Sequence, residues 1–156
     1  MTTYADSSAL LAVYVTEAFS AEARRQIGAV AQVPFTPLHD LEVRNALLAL
    51  RGRRFITRSD LRALVAQLEA DLQGNRLRWT PLELASVFVD ARSLAEAYTA
   101  RLRCRSLDLL HVAAAKAIGC RRLISGDERQ LKLARALRFV TIDIRKPRRS
   151  VRSRTS

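Results

Sequence analysis

The chain is predicted to be an α/β domain built on a mainly parallel sheet. Three observations predict this. Short strand-prone runs recur along the sequence, each is followed by a segment of helical length with apolar residues at helical spacing, and no repeat or linker breaks the alternation. At 156 residues the chain fits one domain, long enough to bury a sizeable core.

Taken in order, Thr3-Tyr4-Ala5 is a short strand that stops at Asp6, and a helix follows from Ser8 to Tyr14. A second helix is expected from Ser20 to Val30, then a strand around Val33 to Phe35. The next helix has Thr36 as N-cap, Pro37 at its first position and Gly52 as its stop. Ser59 or Asp60 is expected to cap the following helix, which runs to Gly74. "RLRWTP" is a short strand with Trp79 expected in the core, and Leu82 to Leu102 gives one long helix or two abutting ones. Ser106 is expected to cap a helix closed by Gly119, after which "RRLISGDERQLKLARAL" reads as strand, turn and helix. "FVTID" is the last strand.

Composition narrows the function classes. Hydrophobic residues make up 49% of the chain, and the mean hydropathy is −0.04, values of a soluble globular protein. The longest apolar run, Ala9 to Val15, is too short to cross a bilayer, and no secretory signal opens the chain. Cys104 and Cys120 match neither a metal-ligand spacing nor a disulfide framework, so a reducing cytoplasm is the expected location. The net charge of +12 points to a polyanionic partner, most simply nucleic acid. Part of that charge lies in residues 144–156, an acid-free basic tail expected to be flexible and set apart from a domain of residues 1–143.

In open α/β sheets, sites form beyond the carboxyl ends of the strands. Asp6 ends the first strand, and Asp127 lies two residues past "RLIS". Glu42 sits in the second turn of the helix after "VPF", and Asp108 in the first turn of the "SLDLLH" helix. Each has a local explanation: Asp6 and Asp127 suit N-caps, Asp108 complements a helix dipole, and Glu42 could be solvated. Clustered together, four carboxylates would repel one another and call for a cation. Oxygen-only donors favour Mg²⁺ or Mn²⁺ over zinc. Ser7, Asn45 and Ser125 are candidate supporting residues around this set. His39 and His111 read as packing residues with a hydrogen bond, His111 on the same helix face as Asp108. Asp40 should turn away from Glu42, and Asp143 ends a strand. With few aromatics, RNA would be held by phosphate charge more than by stacking.

The ordered series Asp6, Glu42, Asp108, Asp127 resembles the acidic quartet of PIN-domain ribonucleases, and the chain is similar in size to VapC-type toxins. The matching text is "YADSSALLAVYV", "LEVRNAL", "SLDLLHVAAA" and "LISGDERQLKLA", spread from Tyr4 to about Ile142. Ser125 stands where the family usually has serine or threonine, and Gly126 where it more often has a bulkier residue. The resemblance implies a PIN-like three-layer α/β/α fold and a metal-dependent endoribonuclease acting in a toxin–antitoxin pair. It makes Asp6 and Asp108 the principal metal ligands. Glu42 would be a ligand or orient the nucleophile, and Asp127 would complete the acidic pocket. A cognate antitoxin and a homodimer are implied as partners. Two other readings stay open: a catalytically silent PIN-like nucleic-acid binder, and another metal-dependent α/β nuclease or phosphatase. A phosphatase of the haloacid dehalogenase type is disfavoured, because "ADSSAL" lacks a second aspartate two positions after the first.

Overall fold

The computed structural model describes residues 2–146. They form β1 (Thr3–Ala5), α1 (Ser7–Tyr14), α2 (Ser20–Gly28), β2 (Val33–Phe35), α3 (Pro37–Gly52) and α4 (Arg58–Gln73). Then come β3 (Leu77–Trp79), α5 (Leu84–Leu102), α6 (Ser106–Ala117), β4 (Arg122–Ser125), α7 (Glu128–Ala136) and β5 (Val140–Asp143). The expected alternation of strand and helix is therefore the one the chain forms.

Every strand pairing among the described residues is parallel. Hydrogen bonds order the strands as β1-β4-β5 and β2-β3, with Tyr4 opposite Leu123 and Leu123 opposite Thr141. Two local features accompany the division between β1 and β2. Pro34 brings no N–H to β2, and the Ala5 carbonyl of β1 accepts instead from His39 Nε2 at 2.9 Å. His39 Nδ1 accepts the Thr36 backbone N–H at 2.9 Å, which fixes the ring as the tautomer protonated on Nε2.

β1 and β4 bury both faces, as strands between two helical layers must. Tyr4 and Leu123 face a core shared with α5, α6 and α7. Their neighbours Ala5 and Ile124 face the other core, built with α1, α2, α3 and α4. This is the three-layer arrangement. Leu123 has no exposed surface, so Leu123→Ala is expected to cost about 2–5 kcal/mol, read as a lower denaturation midpoint at unchanged slope.

Several boundaries differ from expectation, each for a capping reason. α4 begins at Arg58 because Thr57, not Ser59 or Asp60, is its N-cap. Thr57 Oγ1 accepts from Asp60 N at 3.0 Å, and Asp60 Oδ2 accepts from Thr57 N at 2.8 Å. Ser106 is the first helical residue of α6 rather than its cap, a place taken by Arg105. α5 is one continuous helix, ended by Arg103 in the left-handed region at φ 56°. Trp79 is 53% exposed and not a core residue, because β3 is an edge strand with only β2 beside it. No helix among the described residues is long and apolar enough to cross a membrane.

The folded chain continues past Asp143. Ile144 is buried, and Arg145 Nη2 donates to Asp143 at 2.8 Å and to Glu128 at 2.5 Å. The rest of the basic segment expected to be flexible, residues 147–156, lies outside the described residues.

Candidate active site

A cavity of about 580 Å³ opens at the carboxyl ends of β1 and β4, and Asp6, Glu42, Asp108 and Asp127 all line it. The fold explains the convergence. Parallel strands deliver Asp6 and Asp127 to one edge, where each becomes an N-cap, of α1 and α7. Glu42 comes from the start of α3, and Asp108 from the first turn of α6, both packed around that edge. The capping and clustering explanations are thus not alternatives: the same carboxylates do both.

Asp6 is almost fully buried. Its Oδ1 accepts from Ala9 N and Ser8 Oγ, each at 2.8 Å, and its Oδ2 from Ser125 Oγ at 2.5 Å. Burial raises its pKa, and the hydrogen bonds together with nearby His111 offset this only in part. Ser125 Oγ also accepts from Asp127 N at 2.9 Å, so one buried hydroxyl ties two of the acids together.

Glu42 Oε2 accepts from Ser7 Oγ at 2.7 Å and pairs with His111 Nε2. Nδ1 of that ring contacts Tyr4 Oη at 2.7 Å. Burial would raise the Glu42 pKa, but the His111 hydrogen bond, with help from Ser7, holds it below the ordinary value. His111 therefore serves Glu42 from across the cavity rather than Asp108 on its own helix. Spacing along α6 pointed to the wrong partner.

Asp108 Oδ2 accepts from Arg105 N at 2.8 Å. Asp127 Oδ2 accepts from Arg105 Nη2 at 2.7 Å, and its Oδ1 from Arg129 N at 2.8 Å. Burial pushes the Asp127 pKa up, but hydrogen bonds from Arg129 and from Gln130 N more than offset it, and the carboxyl stays below its usual range. Asp40 turns away from the site to Arg44, at 2.6 Å. Asn45 is exposed and does not line the cavity. Ser8, Glu17 and Gln130 line it without having been singled out. The adjacent serines of "ADSS" were the one available signal for Ser8.

The chain is matched by the PIN domain family model over residues 3–136, and it belongs to that family. Members of this family are generally nucleases. In structure it is similar to FitAcB from Neisseria gonorrhoeae, with a TM-score of 0.65 and 13% sequence identity, covering 92% of this chain and 98% of that one. No curated protein matches it by sequence.

PIN nucleases typically use divalent metals. The donor chemistry here fits a hard cation. Four carboxylates line one cavity, and Asp108 Oδ1 and Glu42 Oε1 accept no hydrogen bond from the described residues. The buried side-chain oxygen of Gln130, on the same cavity wall, also lacks a partner among them. Among the described residues, the side chains as they stand form no group of three or more His, Cys, Asp or Glu ready to hold an ion. Each acid is instead held by donors of the chain itself.

Proposed function

We propose that this protein is a Mg²⁺- or Mn²⁺-dependent endoribonuclease, the toxin of a toxin–antitoxin pair acting in the cytoplasm. The observation that carries this reading is the lining of one cavity by four carboxylates from four separated segments of a PIN-family chain. The charge of +12 adds support, since it would draw a phosphate backbone to an otherwise acidic pocket.

In this reading Asp6 and Asp108 hold the ion, with Asp127 completing the pocket. The bound ion supplies Lewis-acid polarisation of the scissile phosphate and lowers the pKa of a water. Glu42, kept ionised and oriented by His111 and Ser7, accepts a proton from the attacking water. Attack at phosphorus breaks the bond to the 3′ oxygen and leaves a 5′-phosphate and a 3′-hydroxyl. Ser125 keeps Asp6 and Asp127 in register. A cognate antitoxin would cover the site. Homodimerisation is supported by the exposed apolar residues Phe88 and Val89 on α5.

One observation favours a catalytically silent nucleic-acid binder: all four acids already serve caps or ion pairs within the chain. Purified protein incubated with labelled RNA and DNA in Mg²⁺, Mn²⁺ or EDTA separates the readings. Cleavage of RNA with either metal and none in EDTA is the expected result. RNA binding with no cleavage would favour the silent binder, and preferential cutting of DNA would favour another nuclease.

A further inference from the structure

The acidic cavity contains a cation supplied by the chain itself. Arg105 lines the cavity. Its Nη2 lies 2.7 Å from Asp127 Oδ2 and its Nε 3.7 Å from Asp108 Oδ2, so one guanidinium bridges acids from two elements. Its side chain is 62% exposed, while its backbone N–H is fixed to Asp108. The side chain can therefore withdraw into solvent without disturbing the start of α6. Arg129 approaches the same two acids less closely, at 3.4 and 3.9 Å, and does not line the cavity.

We infer that Arg105 is a resident counter-cation of the site, which a divalent ion must displace in order to reach Asp108 and Asp127. This rests on the metal-dependent reading above. The chemistry follows from charge and solvation. Two carboxylates brought together need compensation; Arg105, and at longer range Arg129, supply it in the metal-free chain, and a divalent ion would take over the part played by the closer guanidinium. The guanidinium side of the pair is open to solvent, which weakens it, so it can hold the acids in place without locking the ion out. The arrangement makes Arg105 a positioning residue that keeps the carboxylates converged before the metal arrives. Once released, its guanidinium remains at the cavity wall with its charge free for an RNA phosphate.

Calorimetric titration of Mn²⁺ into the full chain tests this, using the wild type and the Arg105→Ala, Arg105→Lys and Arg129→Ala variants. Removing the competing charge in Arg105→Ala is expected to tighten Mn²⁺ binding about two- to fivefold. Arg105→Lys, which keeps the charge, should stay near wild type, and a merely structural role would not separate the two variants. Thermal melting checks that each variant is folded. If the wild type takes up Mn²⁺ and Arg105→Ala binds it equally or less tightly, the inference fails and the metal reading stands. An equal gain in Arg129→Ala would assign the effect to general charge and also overturn it. If no form takes up Mn²⁺, both readings fall together.

Discussion

Asp6→Asn is expected to abolish RNA cleavage while making the metal-free protein more stable. The two effects have the same source. The Asp6 carboxylate is almost fully buried, and its raised pKa means that the ionised form destabilises the fold at neutral pH. Asparagine keeps an oxygen to accept from Ala9 N and Ser8 Oγ, and its amide can donate to Ser125 Oγ, so the cap on α1 survives. What disappears is a negative charge that, in the metal-dependent reading proposed above, helps to hold the ion. Loss of several kcal/mol of metal-assisted stabilisation corresponds to about a thousandfold drop in rate or more. Melting in EDTA should rise by about 2–4 °C for each kcal/mol relieved. A variant that cuts RNA at the wild-type rate would remove Asp6 from the mechanism. One that melts lower would show that its charge supports the fold.

The second large effect is a loss of stability in mild acid, governed by His39. Burial, with His111 nearby, pushes its pKa down from 6.5 to about 3. The folded state therefore keeps His39 neutral at pH values where the unfolded chain has already bound a proton. Between about pH 6.5 and 3 the unfolded state holds more protons, so stability falls as pH falls. One such group contributes a slope of about 1.4 kcal/mol per pH unit. Asp6 works in the opposite sense: its folded pKa lies above 3.8, so the folded state takes up its proton first and gains stability on acidification in that window. Chemical denaturation at pH 7, 6 and 5 should give a flatter pH dependence for His39→Gln. Asp6→Asn, which lacks the opposing group, should give a steeper one. Equal slopes for wild type and His39→Gln would mean that the histidine is solvated.

The sequence made the strand–helix alternation legible because each element carried its own local signals. The β2–α3 junction shows why: "VPFTPLHD" contains a β-prone run, an N-cap and a proline at the first helical position, and the strand and helix formed there. The cap of α4 was misplaced because Ser59 and Asp60 are both good caps, and only the reciprocal bonding of Thr57 with Asp60 decides among three candidates. The four acids were visible because each sits at a fixed offset from a strand end or helix start. Their partners were not. His111 lies 69 residues from Glu42 and Arg105 lies 22 from Asp127, and such pairings depend on how helices pack rather than on spacing within one segment. The same limit applies to Asn45, which helical spacing put beside Glu42 but which faces outward.

The clasp of Arg145 on Asp143 and Glu128 has a practical consequence for handling this protein. Ile144, one residue earlier, forms part of the cavity wall, so the described chain ends, at Lys146, beside the acidic pocket. Thr2 instead adjoins Arg121, at the opposite edge of the parallel strands. An affinity tag for purification or surface capture belongs at the amino terminus, which lies at the other end of these strands from the pocket.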